Sequence, residues 1–195
     1  MPIAIKDNIE VAGMPSTAGT PALKSFIPKQ NAPVAQKLVD AGAIMFGKTN
    51  MHELAFGITT ANAAFGTTGN PYDPKRFAGG SSGGSAAVVA ARMAPGSLGA
   101  DTGGSMRIPP AVCGIVGLRP TLGRYPGGGV APISYTFDTT GPMARSVSDV
   151  AMLDQIIAGG APIKRATLSG LRLGVPRGYF YAGLESETAR LTEAA

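Results

Sequence analysis

Three polar positions in this sequence stand where apolar or glycine-rich surroundings would let them do chemistry. Lys6 closes the apolar run PIAIK. Ser81 and Ser82 lie inside GGSSGGS, directly before the apolar stretch SAAVVAARMA. Ser105 ends ADTGGS and leads into MRIPPAVCG. A helix N-terminus presents unpaired N–H groups that favour developing negative charge, so two serine-bearing turns feeding two helices make two such places. A hydroxyl there still needs a base. With histidine scarce, a lysine kept neutral by burial is the available one. A neutral amine can take a proton from one serine, which takes one from the next. Singly, each residue has a plainer reading. A lysine at the inner end of a buried strand usually pairs with a carboxylate, and Asp7 is adjacent. Serine-glycine runs are usually linkers, although this one opens an apolar helix.

Other chemistries find little support. The one cysteine, Cys113, sits in the apolar run PPAVCGIVGL and reads as a small buried residue. The one histidine, His52, rules out a multi-histidine metal cluster. The net charge is +5, but the basic residues are scattered and no aromatic-interleaved basic stripe appears, which argues against nucleic acid. No apolar run approaches the length of a membrane span and no signal peptide is evident, so the cytoplasm is the expected location. GAIMFGKT, Gly42 to Thr49, fits the phosphate-loop pattern around Lys48, yet its four inner residues look like a strand, which cannot wrap a phosphate. GGSSG, Gly79 to Gly83, fits the esterase pattern G-x-S-x-G, but it is approached by what reads as a loop, and no histidine follows Ser81.

The elements that must position these residues alternate in type. PIAIKD reads as a strand. APVAQKLVDAG is an amphipathic helix with Val34, Leu38 and Val39 on one face, Pro33 in its first turn and Gly42 as a stop. AIMFG follows as a short buried strand. Strand, helix, strand in succession predicts an α/β layer with parallel strands. NMHELAFG is expected as a short helix and residues 59–80 as loop. SAAVVAARMA predicts a helix packed inside the protein, SLGADTGGS a strand and tight turn, and MRIPPAVCG a short helix limited by its prolines. SVSDVAMLDQIIAGG is expected as a helix capped by Ser146 with Asp149 in its first turn, and LRLGVPRG as one more strand.

The stretch Gly79 to Thr121 resembles the signature region of the amidase signature family. PIAIKDNI is similar to that family's lysine motif, and Ala41 to Gly57 and GNPYDPKRFAGG to its connecting blocks, so that the likeness spans roughly residues 2–160. The resemblance implies an α/β fold with a mixed central sheet covered by helices on both faces. It implies that Lys6 is the catalytic base, Ser81 the bridging serine and Ser105 the nucleophile. It further implies an oxyanion hole of backbone N–H groups at Thr102, Gly103 and Gly104, with Asp101 and Arg107 as supports of that turn. Met106 stands where the family often has isoleucine or valine. The reaction implied is hydrolysis of a carboxylic acid amide through an acyl-enzyme, with no cofactor and no metal.

The local likeness of HELAFGITTANAAFG and LGRYPGGGVAPISYTFDTTGPMARSV is to hydrolases of mandelamide or indoleacetamide type, which implies a small aromatic or arylacetamide-like substrate. The glutaminase subunit of a tRNA-dependent amidotransferase is the rival, since it shares the core. A silent structural subunit would be expected to lose Lys6 or Ser105. Phe56, Phe65 and Tyr135 are expected chiefly as core, with an aromatic pocket as the alternative. The expected partner is the small amide itself, with no membrane or nucleic acid, and a homodimer is left open. Because MPIAIKDN opens on a strand and LESETARLTEAA ends on a helix just begun, the 195 residues are expected to be part of a longer domain lacking both ends.

Overall fold

The apolar run Pro2–Lys6 forms strand β1, buried from Ile3 onward. In the computed structural model, which describes residues 1–160, 167 and 169–194, β1 pairs in parallel with β2 (Ile44–Thr49). Helix α1 (Pro33–Asp40) connects them, with Pro33 in its first turn and Val34, Ala35 and Leu38 turned inward. This is the predicted strand, helix, strand unit. One detail differs: β2 is an edge strand, with Ile44 64% and Phe46 47% exposed, because no further strand flanks it among the described residues.

The segment between β2 and the serine-glycine run holds more structure than expected. Two small hairpins occupy it, β3 (Ala61–Asn62) with β4 (Gly66–Thr67), and β5 (Gly69–Asn70) with β6 (Asp73–Phe77). Strands this short bury too little to leave a periodic pattern in sequence. The helix expected around His52 shrinks to a single 3-10 turn, Glu53–Ala55, since Leu54 and Ala55 have φ of 50° and 59° and cannot continue a right-handed helix.

After the serine pair come α2 (Gly83–Ala90), β7 (Gly96–Asp101), α3 (Ile108–Cys113), β8 (Val116–Gly117), β9 (Thr139–Ala144) and α4 (Val147–Ala158). The sheet order is β2-β1-β7-β9-β8. β1 and β7 run parallel, while β9 is antiparallel to both β7 and β8, so the sheet is mixed. Period-two alternation divides its residues between two layers. Ile3, Ile5 and Leu98 pack with Val34 and Leu38 of α1 and Val150, Leu153 and Ile157 of α4. On the other side, Met143 packs with Ala86 of α2, Cys113 of α3, and Met106. Lys6, two residues on from Ala4, shares this second face, where its hydroxyl partners lie. Ser146 caps α4, accepting from the Asp149 backbone N–H at 3.1 Å.

The chain divides into two compact units, Met1–Ile163 and Lys164–Ala195. In the second, α5 (Arg177–Phe180) and α6 (Ser186–Ala194) are joined by an ion pair of Arg177 with Glu193. The strand expected at LRLGVPRG does not form: residues 171–176 are irregular and no strand of the described residues pairs with them.

Candidate active site

β1 delivers Lys6 to the interior with its ammonium group fully buried. Its Nζ lies 2.7 Å from Ser81 Oγ and 3.4 Å from the Ala100 carbonyl oxygen. Ser81 Oγ in turn lies 2.9 Å from Ser105 Oγ. Three residues far apart in sequence thus form one unbroken chain of hydrogen bonds. Each hydroxyl can donate in either direction along it. Toward Ser105 the chain delivers a proton outward; with both hydroxyl hydrogens turned the other way it draws one off Ser105.

The carboxylate expected to hold Lys6 is engaged elsewhere. Asp7 binds Lys48 at 3.2 Å and accepts from the backbone N–H and hydroxyl of Thr17. Adjacent strand residues point to opposite faces, so the residue after Lys6 cannot share its surroundings. Burial therefore dominates, and it lowers the Lys6 amine from 10.5 to about 7 against the opposing pull of Asp101 and Asp138. Lys48 is tied to Asp7 and stands within a strand.

Ser81 is fixed by its backbone. The Gly80–Ser81 peptide is cis. The Ser81 carbonyl accepts from the His52 N–H at 3.1 Å. Thr60 spans the turn, its hydroxyl donating to the Gly79 carbonyl at 2.8 Å and accepting from the Gly83 N–H at 3.0 Å. Gly80 has to be glycine here, because a Cβ would lie 2.7 Å from the Thr59 nitrogen. Ser82, the other member of the pair, turns away and donates to the Ala100 carbonyl at 3.1 Å.

The Ser105 turn is built around the buried carboxylate of Asp101. It accepts from the backbone N–H groups of Gly104 at 3.0 Å and Met106 at 2.9 Å. Arg107 Nε and Nη2 each approach it at 3.1 Å, and Arg119 Nη1 at 2.8 Å. Burial alone would raise the Asp101 carboxyl, but the Arg107 hydrogen bonds, the Met106 N–H and the charges of Arg107 and Arg119 outweigh it and hold it below the usual range. Asp101 and Arg107, the expected supports of the turn, sit in direct contact. The Gly104 N–H, expected among the oxyanion donors, is engaged by Asp101 in this structure. The backbone N–H groups of Thr102, Gly103 and Ser105 make no hydrogen bond among the described residues.

Ser105 opens onto a cavity of about 500 Å³ whose wall also includes Lys6, Ser81, Tyr125 and the segment Val130–Ile133. Of the three aromatics considered from sequence, Tyr135 reaches this wall but is 89% exposed, while Phe56 and Phe65 lie outside it on the surface. None belongs to the core. Tyr125 is the buried aromatic of the wall, its hydroxyl donating to Asp154 at 2.7 Å. Sequence reasoning passed over it, along with Thr60, Arg119 and Asp138. Each lies in a loop where no periodicity marks the inward residue. Asn8 also lines the wall; its Oδ1 is buried with no hydrogen-bond partner among the described residues.

Cys113 is fully buried, and burial pushes its thiol up to about 11, which leaves it unreactive at neutral pH. A strand, β6, does precede Gly79, contrary to the loop expected there, but it belongs to a separate hairpin and not to the central sheet. Among the described residues no group of three or more His, Cys, Asp or Glu side chains converges. No helix among them is long and apolar enough to cross a membrane.

A mixed sheet thus brings a buried lysine and two serines into one hydrogen-bonded chain beside a cavity. The chain belongs to the amidase family, whose model matches residues 1–195. It is 52% identical over 200 residues to a mandelamide hydrolase of Pseudomonas putida, covering 100% of this chain and 39% of that protein. To an indoleacetamide hydrolase of Rhizobium radiobacter it is 48% identical over 194 residues, covering 99% of this chain and 42% of the relative. The crystal structure of a glutamyl-tRNA(Gln) amidotransferase subunit from Thermotoga maritima superposes with a TM-score of 0.79 at 43% identity, covering 80% of this chain and 35% of that one. The chain thus spans about two fifths of the length of the curated relatives it matches.

Proposed function

We propose that this chain carries the catalytic core of an amide hydrolase, within residues 2–160, in which Ser105 is the nucleophile, Ser81 the relay and Lys6 the base. The observation that carries this reading is the unbroken contact from Lys6 Nζ through Ser81 Oγ to Ser105 Oγ, at 2.7 and 2.9 Å. Ser105 Oγ attacks the amide carbonyl while its proton passes to Ser81 and the Ser81 proton to neutral Lys6. The carbonyl oxygen becomes an oxyanion, held by backbone N–H groups of the Thr102–Ser105 turn; each such donor is typically worth about 3 kcal/mol. The same relay returns the proton to the leaving nitrogen, ammonia departs, and water then cleaves the acyl-enzyme by the same route.

A small neutral aryl amide suits the cavity better than glutamine. Among the described residues the wall has one basic side chain, Lys6, and one carboxylate, Asp138. With Lys6 neutral, no cation of this wall is placed to hold an α-carboxylate. The likeness to mandelamide and indoleacetamide hydrolases points the same way, while the amidotransferase protein supports the rival reading.

A fluorophosphonate probe should label Ser105 in the intact protein, and Ser105→Ala should abolish both labelling and ammonia release. Mandelamide and indoleacetamide should release ammonia faster than glutamine at matched concentrations. Labelling at another residue would remove Ser105 from its role, and equal or faster turnover of glutamine would move the chain to the glutaminase reading.

A further inference from the structure

We propose that Asp138 is a positioning residue: its carboxylate holds Thr102, the first residue of the nucleophile's turn, and with its other oxygen fixes the adjacent wall of the substrate cavity. The proposal rests on the acyl-transfer reading above and adds a residue to it. Asp138 immediately precedes β9, opposite the end of β7, where Asp101 pairs with Thr139. Its Oδ1 accepts from the Thr102 hydroxyl at 2.5 Å. Its Oδ2 accepts from the backbone N–H groups of Ile133 at 2.7 Å and Ser134 at 2.9 Å. Both Asp138 and Ile133 line the cavity into which Ser105 opens.

One carboxylate therefore spans two structures that share no strand. One is the Thr102–Ser105 turn, whose free backbone donors face the reacting carbonyl in the proposed mechanism. The other is the cavity wall that would seat the rest of the substrate. Gly103 follows Thr102 without a side chain to anchor it and is exposed. The direction of its N–H thus depends on what holds its neighbours. Asp101 holds the turn from the far side through Gly104 and Met106, and Asp138 from the near side through Thr102. Arg119 runs alongside, bonding the Asp101 carbonyl and the Phe137 carbonyl, each at 2.7 Å. It braces the two strand ends but does not touch Thr102.

Asparagine cannot do the same work. It has one acceptor oxygen, which serves either Thr102 or the Ile133–Ser134 pair, and its amide N–H₂ then opposes the donor on the other side. Asp138 also bears on Lys6 by its charge. The charged groups facing Lys6 are Asp101 at the end of β7, with Arg107 and Arg119 bound to it, and Asp138 ahead of β9. The α2 turn contributes only Ser81 and Ser82, and Asp7 with Lys48 lies on the other face. Asp138 helps hold a proton on Lys6, so its neutralisation should make that proton easier to lose.

The test compares Asp138→Asn, Thr102→Val and the double variant in the intact protein, with a mandelamide-type substrate and with the rate of fluorophosphonate labelling at Ser105. Misplacement of the turn should lower kcat and labelling by about tenfold to a hundredfold in each variant, while KM moves by less than about threefold in Thr102→Val, whose cavity wall keeps its contacts. The double variant should lose no more than about the larger single loss, because both changes break one contact. Asp138→Asn should move the acidic limb of the rate profile to lower pH, and Thr102→Val, which keeps the charge, should leave the limb in place. Thr102→Val leaves the Ile133–Ser134 contacts intact, so it stands should Asp138→Asn fail to fold. The proposal is overturned if Thr102→Val keeps kcat and labelling within about twofold of wild type, or if Asp138→Asn raises KM alone. An unlabelled Ser105 in the wild type would overturn the acyl-transfer reading and this proposal together. A labelled Ser105 indifferent to both substitutions would overturn this proposal only.

Discussion

Two lysines stand near the ends of neighbouring parallel strands, and the protein treats them in opposite ways. Lys6 on β1 is paired across the ladder with Thr49, and Lys48 on β2 with Ile5. They therefore emerge on opposite faces of the sheet. Lys48 meets Asp7 at 3.2 Å and also donates to the Ser16 hydroxyl at 3.0 Å and the Pro15 carbonyl at 3.2 Å. Burial lowers its amine, but Asp7 opposes the shift by charge and hydrogen bond. Among the described residues Lys6 meets a hydroxyl and a carbonyl but no carboxylate within reach, and its amine falls to about 7. Two residues of one type, on adjacent strands of one sheet, become a structural cation and a candidate base. What separates them is which face Asp7 occupies.

The largest effect should separate the two lysines in catalysis. Lys6→Ala should lower kcat by about a hundredfold to ten-thousandfold, the range of a lost general base, with the fold retained. Lys48→Ala should leave far more activity in whatever fraction stays folded. Steady-state rates normalised to the folded fraction, measured by circular dichroism, check this, and similar losses in both variants would erase the distinction.

Stability should show the reverse order. Lys48→Ala leaves Asp7, whose side chain is 13% exposed, without its cation. A broken, largely buried pair of this kind costs about 3 kcal/mol. Thermal or urea unfolding should find Lys48→Ala less stable than Lys6→Met, which replaces a buried amine by an apolar chain of similar length.

The remaining expected effect is a pH dependence that belongs to Lys6. Its amine is held at about 7 in the folded state against 10.5 for a solvated lysine. Between those values the unfolded chain carries a proton that the folded chain does not, so stability rises with pH across that window and is independent of this group below it. The contribution is at most about 1.4 kcal/mol per pH unit. The difference in unfolding free energy between wild type and Lys6→Met, measured from pH 6 to 10, should grow in the wild type's favour as pH rises. A constant difference would mean that Lys6 is charged in the folded protein.

Much of the layout was legible in the residues themselves. The apolar PIAIK run, the α1 stripe of Val34 and Leu38, and the Ser146–Asp149 start of α4 all formed where period and capping chemistry placed them. These are local signals, read within a few residues of their cause. The hairpins of residues 61–77 were not legible because their strands are too short for a period. Ile44 and Phe46 on β2 illustrate a second limit: an apolar strand reads the same at an edge as at a centre.

For the site, the residue types and their motifs nominated Lys6, Ser81 and Ser105 without any coordinates. Their chemical character follows from nearby sequence: glycines that allow tight turns, and apolar runs that favour burial. The sequence could not say that Asp7 belongs to Lys48, that Gly104 uses its N–H on Asp101, or that Asp138 reaches Thr102. Those are partnerships settled by strand register and side-chain direction, most of them between segments tens of residues apart. A pKa or a free N–H donor depends on the sum of such partnerships, and only the assembled sheet determines that sum.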